Sequence, residues 1–284
     1  MSNNSVHPAQ IVRIGETEQE TMDLVAVEEP LAIRLAYGSV HHRQQRDLSV
    51  TMRTPGHDFE LVQGFLFSEG IICRREDIER IRYCQNIKKP AEADNVVRVS
   101  LSPEVPIDWQ QLQRHFYTTS SCGVCGKASI EAVQTTCSPL NTEDFSVSPE
   151  VIHQAPQILR KAQLIFEHTG GLHAAGLFSR SGELLLWRED IGRHNALDKL
   201  IGAALSQNQL PLSQSFILLS GRVSFELVQK ALMAGVPMLA AVGAPSSLAV
   251  QLARQYGMAL LGFVRNQRFN IYAEPQQIIV PQPI

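Results

Sequence analysis

The sequence predicts a two-part α/β protein: a β-rich N-terminal unit with one inserted helix, then a three-layer α/β unit with a mostly parallel sheet. Three observations carry that expectation. Between Leu31 and Leu101 short runs alternate apolar and polar residues with period two. Beyond residue 145, apolar strands alternate with amphipathic helices. A stretch rich in serine, threonine and glycine separates the two patterns. The expected divisions are a flexible tail over 1–25, a β-rich domain over 26–115, a mobile loop over 116–144 and an α/β domain over 145–284.

The opening residues, "MSNNSVHPAQIVRIGETEQE", are polar and expected to be loose. "LAIRLAYG", "RDLSVTMR", "IERIRYCQNI" and "NVVRVSLS" then read as antiparallel strands, each alternating and bounded by turn residues. The helix among them is "TPGHDFELVQGFLFSEGII". Phe59, Leu61, Val62, Phe65 and Leu66 recur at helical spacing, and Gly70 ends the run.

In the second half, Ser148 followed by Pro149 opens a helix expected to close near Gly170. "HAAGLFSRSGELLLWRED" holds two strands around a hairpin signal, and "RHNALDKLIGAALSQN" is an amphipathic helix. "SFILLSG", "PMLAAVGA" and "ALLGFVR" are nearly continuous apolar runs, separated by the helices "SFELVQKALMAG" and "SSLAVQLARQYG". A last strand, "FNIYAEP", follows. Strands that are apolar on both faces, with helices between them, mark a parallel sheet covered on both sides.

At 284 residues the chain can bury a substantial core, and 44% hydrophobic against 19% charged residues is ordinary for a globular protein. A formal net charge of -3 offers no general attraction to nucleic acid or anionic lipid, so any anion site must be built locally. No segment has the apolar length of a membrane span, and the N-terminus lacks the basic-then-apolar order of a secretory signal. The expected compartment is the cytoplasm, with no nucleic-acid or membrane partner.

Ligands of open parallel sheets collect beyond the carboxyl ends of the strands. Three such exits carry suitable groups: Ser220, Gly221 and Arg222 after "ILLSGR"; Gly243 and a helix capped by Ser246 after "AAVGAPSS"; and Arg265 and Arg268 in "LLGFVRNQR". Small residues allow close approach, helix starts offer amide donors, and guanidiniums grip phosphate in pairs of hydrogen bonds. A nucleotide or phosphate ligand is therefore expected. The absence of a Walker loop or G-x-G-x-x-G fingerprint disfavours an ordinary ATP or NAD site. A second polar cluster, "WREDIGRHNALDKL", gathers Glu189, Asp190, Arg193, His194, Asn195 and Asp198, with His173 of "GGLHAAG" beside it in rank. A lone histidine is more often structural than catalytic, and carboxylates at a helix start can simply complement its dipole.

Of five cysteines, Cys73 and Cys84 sit among apolar neighbours, Cys137 has no evident partner, and Cys122 and Cys125 form the pair in "TTSSCGVCGKASIEAV". Structural zinc wants four ligands, and neither a second C-x-x-C nor an H-x3-5-H follows. A deaminase zinc site would need H-x-E ahead of P-C-x-x-C, which the chain lacks. No metal site is expected. Two chemistries stay close: a thioredoxin-like dithiol, and a persulfide relay in which a thiolate takes the outer sulfur of a donor persulfide. Gly123 and Gly126 give the pair backbone freedom, and Lys127 with the helix-forming run behind it favours thiolate.

"SSCGVCGK", "DIGRHNALDKLIG", "SGRVSFELVQKALMAGVPMLAAVGAPSSLAV" and "LGFVRNQRFNIY" together resemble the FdhD family of sulfur carriers needed for formate dehydrogenase activity. The resemblance spans about Pro30 to Tyr272. It implies a cytidine-deaminase-like fold in the second half and a sulfurtransferase activity. Sulfur would arrive from a cysteine desulfurase as a persulfide on Cys122, with Cys125 as second thiol. It would leave to Mo-bis(molybdopterin guanine dinucleotide), the cofactor of formate dehydrogenase. The cofactor-binding stretch maps onto Phe263, Val264, Arg265, Asn266, Gln267 and Arg268, with Arg222 and Ser246 as supporting candidates from sheet geometry. Some relatives carry glycine and proline where this chain has Asn266 and Gln267, so the roles of those two side chains are not carried over. A homodimer is implied by the resemblance alone. The competing readings are a dithiol oxidoreductase and a cofactor chaperone that never handles sulfur.

Overall fold

The computed structural model describes residues 5–84, 94–109, 112, 140 and 145–279. The cysteine pair, with Cys137 and Lys127, lies outside the described residues.

Strands β1 (Val6–Ile14) and β2 (Glu18–Ala26) pair antiparallel as a separate ribbon. This corrects the loose tail expected over 1–25. Val12 and Ile14 alternate on one strand and Met22 and Leu24 on the other, with Gly15 at the turn between them. The glutamates and glutamines mixed into the run hide that alternation when the sequence is read alone.

Next come β3 (Glu29–Tyr37), β4 (Gln44–Arg53), helix α1 (Asp58–Ser68), β5 (Ile78–Tyr83) and β6 (Val96–Leu101). The four strands form one sheet in the order β4-β3-β6-β5. Neighbours are antiparallel except β3 and β6, which run parallel. Its inner face is Leu31, Ile33, Leu35, Val97, Val99 and Leu101, all essentially inaccessible.

The second half runs α2 (Pro149–Ala162), α3 (Leu164–Thr169), β7 (His173–Ser179), β8 (Leu184–Asp190), α4 (Arg193–Ser206), β9 (Ser215–Leu219), α5 (Phe225–Met233), β10 (Met238–Ala241), α6 (Ser247–Tyr256), β11 (Ala259–Arg265) and β12 (Arg268–Ala273). Six strands lie in the order β12-β11-β10-β9-β7-β8. The centre, β9-β10-β11, is parallel as the apolar runs require. Antiparallel pairing on both flanks, β7-β8 with β7-β9 and β11-β12, makes the whole sheet mixed. Helix α2 covers one face through Ile152, Ala155 and Leu159, while α4, α5 and α6 cover the other. That is the expected three-layer unit.

The single helix expected from Ser148 to Gly170 is two. Gln163 leaves the helical region, with φ -79 and ψ 76. The first amides of α3, at Ile165 and Phe166, then donate to the Glu189 carboxylate at 3.4 and 3.1 Å. A carboxylate from β8 thus satisfies a helix start that would otherwise lie open, which makes the break affordable.

The two halves share one core. A single hydrophobic cluster runs from the four-stranded sheet through α1 and α4 to one face of the large sheet. Helices α1 and α4 touch backbone to backbone at two glycines. A Cβ on Gly64 would sit 1.8 Å from the carbonyl oxygen of Asp198, and one on Gly202 would sit 1.8 Å from that of Glu60. No other residue fits at either place.

Candidate functional site

The carboxyl ends of β9, β10 and β11 meet at one rim. The Gly243 amide donates to the carbonyl of Gly221 at 3.1 Å, and the Phe263 amide donates to the carbonyl of Gly243, also at 3.1 Å. Gly243 is needed for that approach, since a Cβ there would lie 2.8 Å from the oxygen of Gly221 and 2.9 Å from the nitrogen of Arg222. The three exits singled out in the sequence are therefore brought side by side.

Their side chains divide. Arg222, Arg265, Asn266, Gln267 and Arg268 are exposed. Arg265 and Arg268 face each other across a two-residue turn in which Asn266 and Gln267 both have positive φ, 53° and 55°. Two left-handed residues between antiparallel strands make the hairpin tight and set both guanidiniums at its base. The Arg265 guanidinium lies 5.7 Å from the centre of the Phe263 ring, within cation–π range. Val264 is fully buried and offers only its backbone. The Ser246 hydroxyl is engaged as the N-cap of α6, accepting from the Ala249 amide at 3.2 Å.

The second polar cluster is mostly joinery. Asp190 pairs with Lys199 at 2.6 Å, both buried, and also accepts from the amides of Gly192 and Thr54. Asn195 bridges Asp190 to the carbonyl of Met52. Asp198 pairs with Lys230 at 2.9 Å and accepts from Ser68. Burial pushes the carboxyl of Asp198 up, against the pull of Lys230, whose own ammonium is held protonated above its usual range by Asp198 and Glu69 in spite of its burial. These contacts tie α4 to the first half.

Arg193 and His194 remain, at the first turn of α4 and at the same rim. The Arg193 side chain has a buried Nε without a hydrogen-bond partner, and no carboxylate occupies the first turn of its helix. His194 Nε2 lies 3.0 Å from the Ser224 hydroxyl and 3.7 Å from Glu226. The Glu226 carboxyl is held well below its usual range, chiefly by His194, against partial burial. His173, half-buried beside Gly221, is pushed down by burial and then by Arg193, so its neutral form is favoured.

A cavity of ≈ 470 Å³ opens beside this rim, lined among others by Arg160, Gln163, Phe166, His173 and Ser220. Arg160 stacks on Phe166 at 3.7 Å, and Ser220 accepts from the Ala174 amide at 2.8 Å. Arg160 and Gln163 are absent from the candidates read in the sequence because both fall inside what reads there as one uninterrupted helix from Ser148 to near Gly170. Arg193 was legible only as one member of the polar cluster "WREDIGRHNALDKL"; that its helix has no acid in the first turn follows from where the fold starts that helix. Chemically the rim presents open guanidiniums, a neutral imidazole and amide donors, a set suited to phosphate oxygens and to a flat polar ring. Among the described residues no cluster of histidine, cysteine or carboxylates could hold a metal ion.

Fold and rim together define the class: a two-part α/β protein with open cations at the carboxyl edge of its larger sheet. Comparison with known proteins places it further. The FdhD/NarQ family matches residues 26–279, and the chain belongs to that family. The sulfur carrier protein FdhD of Streptomyces coelicolor is 49% identical over 273 residues, covering 95% of this chain and 94% of its own. That of Mycobacterium tuberculosis is 49% identical over 267 residues, 92% and 93% of the two chains. The one from Saccharolobus solfataricus is 39% identical over 269 residues, 94% and 96%. A crystal structure described as a formate dehydrogenase accessory protein of Desulfotalea psychrophila superposes with a TM-score of 0.73 at 25% identity, covering 96% of this chain and 99% of that one.

Proposed function

We propose that this chain is a cytoplasmic sulfur carrier and sulfurtransferase that serves formate dehydrogenase. The carrying observation is agreement at 49% identity, over 95% of the chain, with a relative named sulfur carrier protein. The C-x-x-C pair in its sequence supports the reading. In it, the Cys122 thiolate attacks the outer sulfur of a persulfide on a cysteine desulfurase. The S–S bond of the donor breaks, the donor cysteine leaves as thiolate, and Cys122 keeps the sulfur as its own persulfide. Cys125 serves as second thiol. The acceptor is Mo-bis(molybdopterin guanine dinucleotide), taken as substrate at the carboxyl rim. Arg265 and Arg268 would hold its phosphates, Phe263 to Gln267 would supply hairpin surface, and Arg222 and Arg193 would add charge.

The test has two parts. After incubation with a desulfurase and cysteine, mass spectrometry should find one added sulfur on Cys122 and none on the Cys122→Ala chain. Sulfur on that variant would end the assignment. A Cys122→Ala/Cys125→Ala chain that still activates formate dehydrogenase would favour a chaperone, and a reversible disulfide required in each turnover would favour an oxidoreductase. For the rim, calorimetry with GDP should show binding that Arg268→Ala weakens about tenfold, the loss of one charge-assisted hydrogen bond. Equal affinity would remove Arg268 from the site.

A further inference from the structure

Cys84 reads in the sequence as one thiol among apolar neighbours, but the fold surrounds it with charge. It follows β5, an edge strand of the four-stranded sheet, and its amide still donates to the Val96 carbonyl at 2.9 Å. Side chains two apart on a strand share a face, so Cys84 stands on the side of Arg82 and Arg80. The register sets Arg82 opposite Arg98 and Arg98 opposite Arg34, a row of guanidiniums across three strands. Like charges placed opposite one another cost stability. Arg34 is answered by a hydrogen bond to Asp47 at 2.5 Å. That bond raises its guanidinium above the ordinary range in spite of partial burial, and the nearby Cys84 thiol adds to the pull. Among the described residues Arg80, Arg82 and Arg98 make no ion pair, and the Nε of Arg98 is buried without a hydrogen-bond partner. A buried donor left open in this way calls for an explanation.

A cavity of ≈ 510 Å³ opens alongside the same strand, within the range of small-molecule pockets, about 300–1,000 Å³. Arg80, Arg82, Tyr83 and Cys84 line it from the strand, with Phe59 and Asp94 beyond them. Cys84 is a free, partly exposed thiol, and the exposed Asp94 carboxylate has no ion-pair partner among the described residues. Two guanidiniums, one carboxylate and one thiol therefore face a single hollow, and none of the charges is answered within it.

We propose that this cavity receives an acidic peptide thiol in its disulfide form, of the chemistry of oxidised glutathione, and that Cys84 forms a mixed disulfide with it. Each half of such a molecule carries carboxylates, an ammonium and a sulfur. The carboxylates answer Arg80 and Arg82, the ammonium answers Asp94, and the sulfur meets Cys84. In the step, Cys84 gives its proton to solvent and the thiolate attacks one sulfur of the bound disulfide. That S–S bond breaks, the second half leaves as thiolate and takes up a proton, and Cys84 keeps the first half. The disulfide itself is the oxidant. Exchange at Cys84 is independent of the sulfur-carrier reading, which uses Cys122, and of the rim.

Charge discrimination tests it on the reduced full-length chain. Oxidised glutathione and the dicationic disulfide cystamine are supplied separately, and the peptide holding Cys84 is followed by mass spectrometry after an acid quench. Each rate is taken relative to that of the same disulfide with a neutral free thiol. Cys84 should then prefer oxidised glutathione by at least about tenfold, and added salt should shrink the preference. The Arg80→Gln/Arg82→Gln chain should lose the preference, while Arg80→Lys/Arg82→Lys should keep most of it. Both arginines are exposed, so each variant should retain the parent's urea midpoint, and the comparison within the parent stands without either. A parent that takes both disulfides equally, a Cys84 that stays unmodified, or a glutamine variant that discriminates as the parent does would each overturn the site.

Discussion

The joint between the two halves and the rim of the large sheet handle charge in opposite ways. At the joint, Arg53 meets Asp58, Lys199 meets Asp190 and Lys230 meets Asp198, all pairs buried to within a few per cent. Every one of these groups is also hydrogen-bonded to backbone or to a neighbouring side chain. At the rim Arg193, Arg222, Arg265 and Arg268 have no ion-pair partner among the described residues. A buried charge must find a partner inside the protein, because leaving it alone costs several kcal/mol. A charge at an open edge can wait for a ligand. Paired charges therefore mark where this chain is held together, and open ones mark where it can receive something.

The comparison breaks most visibly at the glycine contact. Gly202→Ala should prevent α1 and α4 from seating, because the added Cβ has backbone 1.8 Å away and no flexible side chain to displace. A loss of more than about 4 kcal/mol is expected, read as failed folding or a large fall in urea midpoint. Asp198→Ala comes next. It strands the Lys230 ammonium and should cost about 3–5 kcal/mol, most of it recovered when Lys230 is also replaced by Met. A single variant as stable as the parent would mean that the pair is not structural.

Acid titration sharpens the joint further. Burial opposes the charge of Glu60, but hydrogen bonds from Arg188 and His57 outweigh it and hold the carboxyl at about 2, below its ordinary 4.5. A carboxylate depressed on folding contributes fully above pH 4.5 and is lost as pH falls toward about 2. Discounted for the part of the pair open to solvent, that amounts to about 1–2 kcal/mol. The Glu60→Gln chain should lose less stability than the parent between those pH values, and parallel curves would remove the pair from acid denaturation. The smallest stability effect belongs to the rim. Arg193→Gln should change the unfolding free energy by less than about 0.5 kcal/mol while weakening GDP binding about tenfold. A large midpoint shift would move Arg193 from the receiving edge to the joint.

Much of this was readable along the chain. Phe59 to Leu66 spelled out α1, and the apolar runs of β9, β10 and β11 required a covered parallel centre. Strand-end residues such as Gly221, Gly243 and Arg265 pointed to the rim because sheet geometry makes strand ends converge. The ribbon was missed because its apolar face is interrupted by Glu18 and Glu20 and buries little, so composition outweighed alternation. The break at Gln163 was hidden because its cause, Glu189, lies 26 positions away in the sequence. The aspartates of "WREDIGRHNALDKL" looked equally fit for chemistry or structure until Lys199 and Lys230 were seen against them.

By itself, then, the sequence determined the layers, the parallel centre, the presence of a cysteine pair and the motifs that carry family membership. Each of these depends on local periodicity or on contiguous residues. Which charges are locked in pairs, which stay open, where a helix is interrupted and how two glycines bring the halves into contact were decided only by tertiary structure. Those outcomes depend on distances between residues far apart in the chain, and a charged side chain takes its role from what the fold sets within a few ångströms of it.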